Sequence, residues 1–190
     1  MNLVKPTGTG PGGGAFMHPS DLNFSEIDVA TGSADVASFL AAHAWPFHTL
    51  PRLDLAAAAS VPLGPPDQVR SFWISQHGKR IGVIRLLDLD DVADGSVRFD
   101  LRVAEESRGR GVGRHTVCWL TDTLFRDYPS LHRIEATTRF DNLPMRRALE
   151  ANGYRLEGRL RETWPSADGV RHDTALYGRL RSDTRPDAEA

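Results

Sequence analysis

A single cysteine, Cys118, excludes an intramolecular disulfide and a four-thiolate metal site. That scarcity fits a reducing compartment. No run approaches the roughly 18 apolar residues that a membrane-spanning helix requires, so no membrane partner is expected. The opening stretch, Met1 to Gly14, lacks the apolar centre of a secretory signal, and a cytoplasmic location is expected. Charge of one sign is also lacking. Lys and Arg total 23 against 25 Asp and Glu, a net charge of −2. Without a basic field, nucleic-acid binding is disfavoured as the main role. No His-x-x-x-His helix occurs, and no metal is expected. There is no internal repeat.

What is present suits one globular domain. The chain has 190 residues, of which 40% are hydrophobic and 25% charged. Residues 1–21 read as a flexible leader, because Gly8, Gly10, Gly12, Gly13 and Gly14 cannot bury apolar area to offset ordering entropy. Residues 22–181 read as the folded domain and 182–190 as a polar tail.

Periodicity predicts a strand over Phe24–Ala30 and a helix over Ala34–His43 capped by Ser33. Trp45-Pro46-Phe47-His48 breaks that helix, and a short alanine-rich helix follows over Leu53–Ser60. Strands Ser71–Gln76 and Arg80–Leu87 flank a turn at His77-Gly78-Lys79. After the acidic turn Asp88–Gly95, Ser96–Val103 alternates cleanly. A loop from Glu105 leads into a helix with Val117, Leu120, Thr121 and Leu124 on one face, where Cys118 is expected to be a small core residue. Then come a strand over Leu131–Phe140, a helix capped by Asp141 or Asn142 and stopped at Asn152-Gly153, and a hairpin of Tyr154–Trp164 with Val170–Leu180. The order β-α-α-β-β-β-α-β-α-β-β implies an α/β domain around a single mixed sheet.

Arg108-Gly109-Arg110-Gly111-Val112-Gly113-Arg114 follows an alternating strand and opens an amphipathic helix. A helix start offers unpaired N–H groups and partial positive charge, glycines admit a bulky anion, and the arginines add forked donors. This is a pyrophosphate cradle. It is neither the dinucleotide fingerprint, whose glycines are spaced differently, nor a Walker loop, whose Lys-Ser/Thr is absent. The alternative is a glycine-rich turn with solvated arginines.

The pattern Arg108-x-x-Gly111-x-Gly113 resembles the pyrophosphate signature of the GNAT acetyltransferases. The run from Asn142 through Gly153-Tyr154 to Glu157-Gly158 is similar to that family's second motif, and the closing hairpin resembles the Rim-type branch. That branch modifies protein N-termini, and some relatives modify small molecules. The resemblance covers about Ser71 to Leu180. It implies a mostly antiparallel sheet with a splayed central strand pair and flanking helices. It implies acetyl-CoA as co-substrate and a primary amine as acceptor, with direct attack in a ternary complex. A homodimer is common among relatives.

Residue by residue, it implies that the backbone of Leu101, Arg102 and Val103 pairs with the pantetheine arm. Arg108, Gly109, Arg110, Gly111, Val112, Gly113 and Arg114 would hold the pyrophosphate, and Asn142 would cap its helix and bond the pantetheine. Trp45, Phe47 and His48 would line the acceptor site; a packed turn is the alternative. The chemistry needs an amine freed of its proton, an oxyanion donor and a path for the thiolate. Glu135 is the expected base, on the strand face opposite Ile134, with an ion pair to Arg133 or Arg139 as the alternative. Asp100 is the second choice, and His48 and His115 also titrate in a useful range. The family's usual acids are absent: Leu149 stands at the tyrosine position and Met145 at the serine position. Tyr154 is a candidate acid or a packed strand residue. The aromatic segment favours a small polyamine-like acceptor such as an aminoglycoside, which would suggest antibiotic resistance. A protein N-terminus is the competing acceptor, and a non-catalytic acyl-CoA-binding module is a third reading.

Overall fold

The structure, a computed structural model, describes residues 21–94 and 96–186. The glycine-rich stretch of the leader and the end of the tail, 187–190, lie outside the described residues. In chain order the elements are β1 (Leu22–Glu26), α1 (Val29–Ala42), α2 (Leu55–Ala59), β2 (Arg70–Gln76), β3 (Lys79–Leu87), β4 (Ser96–Val103), α3 (Val112–Asp127), β5 (Arg133–Arg139), α4 (Leu143–Glu150), β6 (Arg155–Pro165) and β7 (Arg171–Leu180). Short 3-10 segments cover Leu89–Asp94 and Glu105–Ser107.

The predicted order of elements holds, and several boundaries move. The first strand stops at Glu26, because Asp28 caps α1 by accepting from the Ala30 amide at 2.9 Å. Ser33, the expected cap, lies inside that helix and bonds back to the Val29 carbonyl. The short second helix is capped by Asp54 and contracts to Leu55–Ala59. The hairpin turn is only His77-Gly78, both with positive φ (48° and 77°), as a tight two-residue connection requires. Asn142, not Asp141, caps α4, since Asp141 is engaged by Arg139. Cys118 is half-buried rather than core, one position off the buried stripe of α3.

The sheet has seven strands in the order β1-β2-β3-β4-β5-β7-β6. All neighbours are antiparallel except β4 and β5, which run parallel. That parallel pair meets only at Ser96↔Arg133 and Val97↔Ile134, and beyond these residues the strands part. Each face of the sheet carries its own core. Under α3 and α4 lie Val97, Leu120, Leu124, Ile134, Leu149 and Tyr177. Under α1 and α2 lie Val36, Leu40, Trp45, Trp73 and Val83. The core under α3 and α4 continues past the point where β4 and β5 separate, with Ala136 buried in it and Leu101, Val103 and Met145 packed against it.

Candidate active site

The parting of β4 and β5 leaves the β5-facing backbone edge of residues 98–103 without a strand partner. Two helices begin beside this edge. The first internal bond of α3 runs from the His115 amide to the Gly111 carbonyl at 3.0 Å, so the amides of Val112, Gly113 and Arg114 have no helical acceptor. Gly109 and Gly111 hold left-handed φ of 72° and 85°, which turns the chain sharply into α3. A Cβ built on Gly113 would meet nothing within 4 Å, so neither turn geometry nor packing within the protein explains that glycine. Room for an external group does. The cradle therefore fits the pyrophosphate of a coenzyme A donor by its amides, its charge and its open space.

A cavity of about 550 Å³ runs along this track. Leu101, Arg102 and Val103 form one wall, and the cradle residues Arg108, Gly109, Gly111, Val112, Gly113 and Arg114 form its end. The facing wall is α4. Asn142 caps that helix, its Oδ1 accepting from the Met145 amide at 3.3 Å while Nδ2 donates to Thr138 Oγ1 at 2.9 Å. Pro144, Arg147, Ala148 and Ala151 present one stripe of α4 to the cavity. Sequence reasoning did not assign these four, nor Ser107, to the site. The i, i+3, i+4, i+7 spacing of the stripe was the available signal, but it lies beside the apolar stripe that packs on the sheet.

The far end is closed by the loop after α1, through Trp45, Pro46, Phe47 and His48. Its pivot is Ala44. The Ala44 amide donates to Glu105 Oε1 at 2.8 Å, and its carbonyl accepts from Arg108 Nη2. Arg108 Nε also bonds the Val103 carbonyl at 2.9 Å. The Arg108 side chain thus joins the end of β4 to the loop after α1, where the sequence reading had it on the pyrophosphate. Trp45 is 1% exposed, with its indole N–H on the Leu40 carbonyl, so it is mainly a core residue that touches the cavity at its edge. Phe47 and His48 are half-buried and line the cavity directly.

Behind this loop, His48 Nε2 lies 2.9 Å from Asp100 Oδ1. The other Asp100 oxygen accepts from Arg85 Nη2 at 2.8 Å and from Arg102 Nε at 3.2 Å. Burial alone would push the Asp100 carboxyl up. The hydrogen bond from His48 and the charges of Arg102, His48 and Arg85 outweigh burial and hold it well below the usual carboxylate range. A carboxylate so stabilised is a poor proton acceptor at neutral pH, which corrects the expectation of Asp100 as a base. Glu135 is corrected on position. It is not among the residues that line the cavity, and its Oε1 accepts from Arg133 Nε at 3.0 Å, one residue past the last β4–β5 pair. Tyr154 is not in the cavity either. It is buried, its hydroxyl is 2.9 Å from Thr121 Oγ1, and burial, partly offset by that bond, pushes its pKa up. Leu149 is fully buried, Met145 lines the cavity, and Arg110 stands outside it.

Among the lining residues are four arginines, Arg102, Arg108, Arg114 and Arg147, and no Asp or Glu. Among the described residues no group of His, Cys, Asp and Glu could hold a metal ion, and no helix is long and apolar enough to cross a membrane.

Comparison with known proteins agrees with this arrangement. No curated protein matches the chain in sequence. Among solved structures, Mycobacterium smegmatis RimJ in complex with a CoA disulfide is 24% identical, with a TM-score of 0.69 over 84% of this chain and 82% of that one. RimL, a ribosomal L7/L12 alpha-N-protein acetyltransferase in complex with coenzyme A, is 16% identical, with a TM-score of 0.71 over 85% of this chain and 94% of that one. The spermidine/spermine N-acetyltransferase SpeG from Vibrio cholerae is 20% identical, with a TM-score of 0.66 over 85% of this chain and 94% of that one. At these identities the likeness is one of fold. A family model, the acetyltransferase (GNAT) domain, matches residues 30–155, and on that match the chain belongs to the GNAT acetyltransferases.

Proposed function

We propose that this acetyltransferase moves the acetyl group of acetyl-CoA onto a lone primary amine, and that a peptide N-terminus suits it better than a polyamine or an aminoglycoside. One observation carries the choice of acceptor: none of the residues that line the cavity is a carboxylate that could pair with a second ammonium. Asp100, behind its wall, is already shared by Arg85, Arg102 and His48. A polycation would find no lining carboxylate for its further ammonium groups, which costs affinity. The aminoglycoside expected from the sequence therefore lacks the carboxylates it would need.

The acid–base demand points the same way. An alkyl amine with a pKa near 10.4 is neutral in only about one molecule per few thousand at pH 7, whereas an α-amine near 7.8 is neutral in roughly one of seven. A site without the family's usual tyrosine or serine acid, and with the expected glutamate out of reach, suits the easier nucleophile.

In this reading acetyl-CoA is the first substrate. The amides of Val112, Gly113 and Arg114, with the Arg114 and Arg147 side chains, hold its pyrophosphate. The free edge of Leu101 to Val103 and the Asn142 side chain align its pantetheine. An unpaired β4 amide receives the oxyanion as the amine attacks the thioester carbon. The C–N bond forms, the C–S bond breaks, and the thiolate departs without a hydroxyl donor at Leu149 or Met145.

The test is thiol release from acetyl-CoA across peptides with free N-termini, monoamines, spermidine and aminoglycosides at pH 7. Peptides or monoamines should exceed the polycations by at least about tenfold in kcat/KM, a gap of about 1.4 kcal/mol. The reverse ranking would overturn the acceptor assignment. Tight acetyl-CoA binding with no thiol release from any amine would turn the reading toward a non-catalytic acyl-CoA module.

A further inference from the structure

The loop between α1 and α2 is held over the parted strands at three places. Arg139 of β5 donates Nη1 to the Pro46 carbonyl at 3.2 Å. His48 Nε2 lies 2.9 Å from Asp100 Oδ1 of β4. The third hold differs, because it comes from the turn that leads into the glycine-rich cradle. The Ala44 amide donates to Glu105 Oε1 at 2.8 Å, and the Ala44 carbonyl accepts from Arg108 Nη2. Glu105 opens a 3-10 segment, Glu105–Ser107, and the Arg108 amide closes it on the Glu105 carbonyl at 3.2 Å. Side chains three apart eclipse in a 3-10 turn, so a carboxylate and a guanidinium project side by side. Together they clamp both polar backbone groups of one residue.

Arg108 is committed further. Its Nε donates to the Val103 carbonyl at 2.9 Å, and its Cζ stands 5.7 Å from the centre of the Trp45 ring. Two other arginines that line the cavity are uncommitted. Among the described residues, the side chains of Arg114 and Arg147 form no ion pair or hydrogen bond. An anion on the amides of Val112, Gly113 and Arg114 is met by these two guanidiniums without drawing on Arg108.

We infer that Arg108 is a positioning residue for the acceptor and not a ligand of the donor: with Glu105 it sets the loop that carries Phe47 and His48 against the end of β4. The inference rests on the acetyl-transfer reading above, which brings the amine to the end of the cavity that this loop closes. Phe47 and His48 line that end. The clamp belongs to the same turn as Gly109 and Gly111, so an anion that orders the cradle also steadies the clamp and, through Ala44, the loop. Donor and acceptor sites are thereby coupled, and the coupling is reciprocal.

Calorimetry with acetyl-CoA and with CoA compares wild type, Arg108→Met and Arg114→Met. Arg108→Met should hold both affinities within about threefold, while Arg114→Met should lose about tenfold. In steady-state kinetics at saturating acetyl-CoA, Arg108→Met should raise the acceptor KM by about tenfold with kcat within about threefold, the scale of one hydrogen bond to a charged group. Arg108→Lys lacks the fork that spans two carbonyls and should recover little. Glu105→Ala should raise the same KM, and Glu105→Gln, which retains an oxygen for the Ala44 amide, should recover most of that loss. Hydrogen exchange read by mass spectrometry needs no acceptor: CoA should slow exchange across residues 44–48 in wild type, and Arg108→Met should abolish the slowing. A clamp that served stability alone would lower the melting temperature and leave the acceptor KM and the exchange response as in wild type, which overturns the inference. So does an Arg108→Met variant that loses acetyl-CoA affinity as Arg114→Met does and keeps its acceptor KM. If wild type releases no thiol with any amine, the acetyl-transfer reading falls, and the exchange comparison still decides the link: slowing lost in Arg108→Met supports it, and equal slowing in both proteins overturns it.

Discussion

Gly109 and Gly111 have left-handed φ, where any side chain strains the backbone, but Gly113 lies in the first turn of α3 with open space around its missing Cβ. The two kinds of glycine call for different substitutions. Gly113→Asp leaves the backbone unstrained, and a carboxylate at a helix N-terminus favours folding slightly. The same carboxylate would stand against a pyrophosphate. The variant should keep its melting temperature and lose acetyl-CoA affinity by about 100-fold or more, whereas Gly113→Ala should lose far less. Calorimetry beside a thermal melt reads both, and normal binding by a folded Gly113→Asp variant would remove the pyrophosphate from this cradle. The cradle was legible in the sequence because its parts are local: backbone amides, glycines and the start of a periodic helix lie within seven consecutive residues, 108–114. The His48–Asp100 pair was not, since its members are 52 residues apart and meet only through the register of β3 on β4 and the fold of the loop after α1. Glu135 illustrates a third case. Alternation correctly set it opposite Ile134, but alternation carries no information on where along β5 the strands part. Arg133, two residues earlier on the same face, claims the carboxylate first.

At the scale of elements, α4 is an eight-residue helix, too short to persist without its cap and its packing. Asn142 is therefore under two demands, capping and the proposed contact with pantetheine, and substitutions separate them. Asn142→Ala removes the cap and should cost about 1 kcal/mol, a few degrees in Tm, along with weaker acetyl-CoA binding. Asn142→Ser retains a capping oxygen and should retain most of the stability, yet still bind acetyl-CoA more weakly. Equal acetyl-CoA affinity in Asn142→Ser and wild type would leave Asn142 as a cap alone. The loop after α1 has a comparable double attachment at Ala44, whose amide and carbonyl are both held by the Glu105–Arg108 turn. The loop after α1 and the glycine-rich turn are thus anchored to one another by the Glu105 and Arg108 side chains on the backbone of Ala44. Sequence reading found both segments but could not find this joint, because a backbone carbonyl leaves no mark in the residue pattern.

For the whole molecule, the Asp100 cluster ties β3, β4 and the loop after α1 together on the α1–α2 face of the sheet, so its ionisation bears on folding. The folded Asp100 carboxyl is held well below its ordinary range, while the unfolded value is near 3.9. A depressed carboxylate stabilises the folded state fully above the unfolded pKa, and this contribution is lost as pH falls through it toward the folded one. The window therefore opens below about pH 4 and extends downward. In Asp100→Asn the contribution is absent at every pH, and Arg85 and Arg102 keep their charge without a partner. Wild type should be clearly more stable than the variant at pH 7 and at pH 5. The gap should narrow steadily as pH falls below about 4, because the unfolded wild-type chain takes up a proton that the folded carboxyl still refuses. Urea midpoints for both proteins at a series of pH values read this directly. A gap that stays constant down to pH 2 would mean that Asp100 stabilises the fold by shape and neutral hydrogen bonding rather than by its charge.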